Sequence, residues 1–84
     1  MDEPEFDTAR VDEAVLALMY LTLHDSDEPT GTARAWKAFD WDALDRLHAR
    51  KLIANPVGKA KSVLLTEEGV QRSRALFERL FAKR

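Results

Sequence analysis

The chain has 84 residues, 45% hydrophobic and 33% charged, which is enough for one small domain with a thin core. It contains no cysteine, which excludes disulfides and thiolate metal sites and fits a cytoplasmic protein. The net charge is −2, with nine acidic and one basic residues in positions 1–30 and six acidic and twelve basic in positions 31–84. We interpret this split as solvated surface, and a charged partner is the alternative.

The N-terminal region, residues 1–9, is acidic and aperiodic, and we expect a loose tail rather than a secretory signal. Residues 10–84 are predicted to form one domain. No apolar run is long enough to span a membrane as a helix.

Apolar residues on two faces predict a helix from Arg10 to about His24. One face carries Val11, Ala14, Val15, Leu18 and Leu21. A helix apolar on nearly all sides must be buried on nearly all sides, and a chain this short offers little cover, so we expect a homodimer. The predicted interface consists of Leu16, Met19, Tyr20, Leu23, Phe77 and Phe81.

The next segments are predicted to be a loop and two helices. Residues 25–31 contain three acids, a proline and a glycine, which is typical of an exposed loop. Residues 32–39 are predicted to form a short helix with Trp36 and Phe39 turned inward. Asp40 is suited to cap a helix over residues 41–51. The predicted buried face of that helix carries Trp41, Leu44, Leu47 and His48.

A β-hairpin and a last helix complete the pattern. The segments LIANP and SVLLT are predicted strands, joined by a turn, VGKAK, that contains Lys59 and Lys61. Thr66 is suited to cap the last helix. Its predicted buried stripe consists of Val70, Leu76, Phe77, Leu80 and Phe81, and its outer side is basic.

No pattern indicates catalysis, a metal or a cofactor. His24 and His48 are the only histidines, and without cysteines they do not supply the three or four ligands of a metal site. Capping explains the aspartates at residues 40–45, and no phosphate loop or nucleophile motif is present. We therefore expect a protein that is not an enzyme.

The stretch LDRLHARKLIANPVGKAKSVLLTEEGVQRSRALF resembles the second half of winged-helix transcription regulators of the multiple-antibiotic-resistance-repressor and phenolic-acid-repressor type. In those families a helix leads into a wing, and an LT-x-x-G motif opens a dimerising helix. Lys51 stands where they usually carry glycine. The matching residues are Leu44, Leu47, Leu52, Ile53, Leu65, Thr66 and Gly69. The resemblance implies a mainly α, winged-helix-like fold with a small β-hairpin.

Nearly the whole chain also resembles a family of short bacterial proteins known only as a domain of unknown function. The resemblance lies in VDEAVLALMYLTLH, AWKAFDWDALDRLH and NPVGKAKSVLLTEEG. It implies no particular activity.

Two functions remain open. In the first, a regulator-like domain contacts duplex DNA weakly through Lys59 and Lys61, assisted by Arg46 or Arg50. Two features argue against insertion of the helix predicted over residues 41–51 into the major groove. Three aspartates lie near its start, and no helix-turn-helix spacer precedes it. The alternative is a protein–protein interaction module that binds no nucleic acid.

Overall fold

The computed structural model describes residues 5–83. Three helices and a three-stranded antiparallel sheet with strand order β1-β2-β3 form the fold, which confirms a mainly α architecture with a small β part. The helices are α1 (Thr8–Met19), followed by a 3-10 turn (Tyr20–Thr22), α2 (Trp41–Ala49) and α3 (Glu67–Phe81). The strands are β1 (His24–Asp27), β2 (Thr32–Trp36) and β3 (Ser62–Leu65). Part of the predicted tail, residues 1–4, lies outside the described residues.

The prediction for residues 25–39 is wrong, because this segment begins with a β-hairpin instead of a loop and a short helix. β1 and β2 pair antiparallel, and Gly31 closes their turn with a φ of 73°. Burial alternates along β2, where Ala33 and Ala35 face the core. Alanine and arginine favour a helix, but pairing of this segment with β3 overrides that preference.

The predicted first helix is confirmed in type but is shorter at its C-terminal end. Asp7 caps α1, since its side chain accepts a hydrogen bond from the Arg10 amide at 3.2 Å. The helix tightens into the 3-10 turn, and His24 already belongs to β1. The chain therefore leaves the helix early enough to form the hairpin.

The core lies between α1, α2 and the sheet, and it includes part of the predicted dimer interface. Leu16 is 1% exposed and Met19 is fully buried in the core of the single chain. Leu23 is partly buried against the same cluster. Leu16 and Met19 are therefore unavailable to a second copy, and the prediction that they form an interface is wrong. The sheet and α2 bury these two side chains, and the sequence alone did not predict that burial.

Two polar contacts join the helices inside this core. Asp12 of α1 is buried and receives two 2.7 Å hydrogen bonds from Arg46 of α2. The hydrogen bond to Asp12 raises the pKa of the Arg46 guanidinium above its ordinary value. Ser73 of α3 is buried and donates to the Leu16 carbonyl at 2.7 Å.

The LT-x-x-G motif connects the end of α2 to the start of α3. Thr66 caps α3 by accepting the Gly69 amide at 3.0 Å, and its own amide donates to the Leu52 carbonyl at 3.1 Å. A Cβ at Gly69 would collide with that same carbonyl oxygen. The motif thus has a structural role here, because only glycine allows the two segments to approach so closely.

Lys51 ends α2 in the left-handed conformation, with a φ of 62°. The amide of Leu52 donates to the Leu47 carbonyl and the amide of Lys51 donates to the His48 carbonyl, which is the bonding of a Schellman cap. Glycine is favoured at this position, so the lysine carries backbone strain there.

The predicted hairpin after α2 is present in reduced form. β3 confirms the second strand, but the first is limited to an isolated bridge between Ile53 and Leu65 and one amide bond from Ala54 to the Leu64 carbonyl. Residues 55–61, here called the wing loop, connect the two sides. Pro56 lies at the point where pairing stops, as expected for a residue that has no amide donor.

Candidate functional site

An open groove of about 630 Å³ lies between the wing loop and the connection from β2 to α2. Its walls combine aromatic rings with lysine side chains. The lining residues are Trp36, Lys37, Ala38, Phe39, Trp41, Ala60 and Lys61. We call this feature the tryptophan groove.

Both tryptophans of the chain line this groove, and both are exposed. Trp36 is 50% exposed and Trp41 is 53% exposed, so the prediction that they turn inward is wrong. Trp36 stands at the end of β2 on its outward side and packs against His24, with ring centroids 4.7 Å apart. Trp41 occupies the first position of α2, outside the stripe that faces the core. Of the predicted inward aromatics, Phe39 does pack against the core.

Lys37 holds the wing loop in place through hydrogen bonds. Its ammonium group donates to the Pro56 carbonyl at 2.6 Å and to the Gly58 carbonyl at 3.1 Å. Its backbone amide donates to the Lys61 carbonyl at 3.1 Å. The same ammonium group lies 5.9 Å from the centre of the Trp41 ring, within the range of a cation–π contact. Lys37 therefore fixes the position of the loop relative to the tryptophan.

The four predicted nucleic-acid contacts do not share one surface. Lys61 lines the tryptophan groove, and Lys59 is exposed two residues earlier in the same loop. Arg50 lies elsewhere, in a cleft of about 390 Å³ between the three helices. Arg46 is held by Asp12, as described above. Of the four, Lys59 and Lys61 lie close together in one exposed loop.

The exposed surface of α2 is acidic or neutral over much of its length. Asp42 and Asp45 are exposed, and Asp40 caps the helix by accepting the Ala43 amide at 3.1 Å. His48 is also exposed, contrary to its predicted place on the buried face. The element that precedes α2 is strand β2, so residues 24–49 contain no helix-turn-helix pair.

Lys37 and the exposure of the tryptophans were not predicted as site features. The clustering of Trp36, Phe39 and Trp41 was the available signal, because one exposed tryptophan in such a cluster marks a contact surface. The position of Lys37 depends on the fold, since its partners lie about twenty residues further along the chain.

Residues 5–83 contain no group of three or more His, Cys, Asp or Glu side chains arranged to hold a metal ion. Within the same part of the chain, no helix combines the length and the apolar character needed to cross a membrane. The residues that line the groove bring aromatic rings and lysine side chains together.

These features define a small, mainly α domain with a three-stranded antiparallel sheet and an aromatic, lysine-bearing groove. Comparison with known proteins then gives its family. Residues 7–83 match the family described as "Domain of unknown function (DUF6429)", and the chain belongs to that family. It is 52% identical over 79 residues to the uncharacterized protein y4hR of Sinorhizobium fredii, covering 94% of this chain and 99% of that protein. No solved structure matches the chain.

Proposed function

We propose that this protein is a nucleic-acid-binding domain that contacts its ligand weakly through the wing loop and the tryptophan groove. The observation that carries the proposal is a groove lined by two half-exposed tryptophans and by Lys61, with Lys59 exposed in the same loop. The proposal includes the cytoplasmic location expected from the sequence.

The lysines supply the electrostatic part of the interaction. Ammonium groups neutralise phosphates and release counterions, which produces affinity that is independent of sequence and falls steeply with salt. Lys59 and Lys61 lie on one short loop, and Lys37 holds that loop in place. Two adjacent phosphates are a natural target for two lysines at this spacing.

The tryptophans supply the part of the interaction that favours unpaired bases. Base–aromatic stacking contributes about 1–3 kcal/mol per base and tolerates any base, because every base has a π face. Stacking on Trp36 or Trp41 requires a base that is not already stacked in a duplex. We therefore expect single strands to bind more tightly than duplexes.

Of the contacts with DNA that the winged-helix resemblance implies, the proposal retains those of the wing and excludes those of the recognition helix. Exposed carboxylates at Asp42 and Asp45 would repel phosphates at the edge of a major groove. Arg46, which was expected to assist, already binds Asp12. The contact surface is thus limited to the loop and the aromatic groove.

The test uses fluorescein-labelled single-stranded and duplex oligonucleotides of random sequence, titrated with the protein at 20 and 150 mM salt. Since Trp36 and Trp41 are the only tryptophans, intrinsic fluorescence reports the groove directly. We expect quenching on binding, single strands preferred at least about 5-fold, and a loss of at least about 10-fold in Lys59→Glu/Lys61→Glu.

The matched control is Arg74→Glu/Lys83→Glu, which makes the same change of charge at two exposed positions on or just after α3. It should bind within about 2-fold of the parent protein at 150 mM salt, where long-range charge is screened. Equal losses in both double variants would leave only a non-specific charge effect. No binding at 20 mM salt would refute the proposal and favour the alternative, a protein partner at the groove.

A further inference from the structure

The outer face of α1 carries an apolar stripe that the fold covers only in part. Val11, Ala14, Leu18 and Leu21 follow one another at spacings of three, four and three residues, which is the spacing of a coiled-coil seam. Leu18 is 37% exposed and Leu21, in the 3-10 turn that extends α1, is 66% exposed, whereas Ala14 is half-buried and Val11 is half-buried against the core. We call these four residues the α1 stripe. Its position corrects the predicted interface, because the opposite face of α1 is the one that enters the core.

An aromatic row from α3 widens the α1 stripe on one side. Phe81 lines a surface depression together with Ala14, and its ring lies 5.6 Å from that of Phe77. Phe77 in turn lies 5.0 Å from Tyr20. Phe81 and its neighbour Leu80 are exposed. The combined surface is an apolar area of the kind that marks an interaction site on a small protein.

We propose that the α1 stripe binds the same stripe of a second copy, with the two helices antiparallel about a two-fold axis. In this register Val11 faces Leu21 of the other copy, and Ala14 faces Leu18. A small side chain thus lies opposite a large one at the centre, and the surface is complementary to itself, as a two-fold contact requires.

Charge at the two ends of the stripe favours the antiparallel direction. Arg10 precedes the stripe and is largely exposed, with only a 3.7 Å contact to Asp7. The segment that follows Leu21 leads into β1, where Asp25 and Asp27 are exposed. Antiparallel helices bring the arginine of one copy towards the acidic segment of the other, whereas parallel helices would place the two arginines together.

The size of the surface sets the expected affinity. A helical segment of fifteen residues is about 22 Å long, and even with the aromatic row the contact is smaller than a standard interface of about 800 Å² per partner. We therefore expect a weak dimer, with a dissociation constant of about 10–100 µM. The dimer is independent of the proposed function, since the tryptophan groove uses none of these residues.

The first test is sedimentation equilibrium of the full chain from 10 to 500 µM. We expect the mass to rise from monomer to dimer, and Leu18→Glu/Leu21→Glu to weaken association at least about 50-fold, because a charge would be buried without a partner. Both positions are exposed, so this variant should keep the circular dichroism and melting temperature of the dilute parent protein. A monomer mass at 500 µM would overturn the proposal.

The second test addresses the direction of the helices. The natural chain has no cysteine, so single-cysteine variants report only the engineered site. A mixture of Val11→Cys and Leu21→Cys should form a disulfide-linked pair at least about 10-fold faster than either variant alone, because like residues lie about 15 Å apart along the antiparallel axis. Faster cross-linking within each single variant would indicate parallel helices and contradict the proposed register.

Discussion

The tryptophan groove and the α1 stripe are both apolar and exposed, but they differ in what surrounds the apolar atoms. The groove places aromatic rings beside ammonium groups and is held open by hydrogen bonds from Lys37 to a loop. The stripe is aliphatic along a single helix, with an aromatic row at its side. The first arrangement suits a planar, anionic ligand, and the second suits another helix. We therefore propose a different partner for each surface, chosen from the polar groups that neighbour the apolar atoms.

The largest difference in the free energy of unfolding is expected between variants on the two sides of α1. Leu16→Ala removes a buried side chain and should lower the free energy of unfolding by about 3 kcal/mol. Leu18→Ala, two residues along the same helix, should lower it by only about 1 kcal/mol in the dilute monomer, because this side chain is 37% exposed. Urea denaturation at 2 µM protein measures both values.

Equal losses in these two variants would mean that Leu18 is covered within the monomer. The α1 stripe would then be part of the core, and the contrast between the two exposed surfaces would disappear.

The support of the groove can be tested by removing the ammonium group that holds the wing loop. Lys37→Met keeps much of the side chain's length but loses the bonds to the Pro56 and Gly58 carbonyls. We expect faster amide hydrogen exchange confined to residues 57–61 and a loss of global stability of about 1 kcal/mol.

Lys37→Arg serves as the control, because it keeps the charge and a donor while changing the geometry of the bonds. Dimer formation should be unchanged in both variants, since the α1 stripe lies outside the groove. Exchange that increases throughout α1 instead would show that the two surfaces are coupled, which would contradict their separation.

The smallest effect is expected at Lys51, which belongs to neither surface. Lys51→Gly relieves the left-handed backbone at the end of α2 and should raise the free energy of unfolding by about 0.5–1 kcal/mol. Thermal unfolding of the variant and the parent protein measures this gain. Affinity for oligonucleotides and for a second copy should stay within about 2-fold, and a decrease in stability would contradict the assignment of strain to this residue.

Local signals in the sequence predicted the second half of the fold with few errors. Asp40 and Thr66 act as the expected helix caps, β3 forms within the predicted strand SVLLT, and the LT-x-x-G motif opens α3. These features could be predicted because each depends on residues within about four positions of one another.

The tryptophan groove could be predicted only in part. The sequence predicts that Lys59 and Lys61 lie in a loop after α2, and both are exposed there. It also predicts that Arg46 assists them, although the Arg46 side chain binds Asp12. The partner of Arg46 lies 34 residues earlier in the chain. No local pattern can reveal that contact, because it forms only when α1 packs against α2.

The sequence by itself determined the three helices α1, α2 and α3, the caps of α2 and α3, the last strand and the presence of charge on the wing loop, since these follow from propensity and short-range hydrogen bonding. Tertiary structure alone decided that residues 32–36 form a strand, because pairing with β3 outweighs a weak helical preference. It also decided which face of α1 is buried. Both faces are apolar, and only the placement of α2, α3 and the sheet covers Leu16 and Met19 while leaving Leu18 and Leu21 exposed.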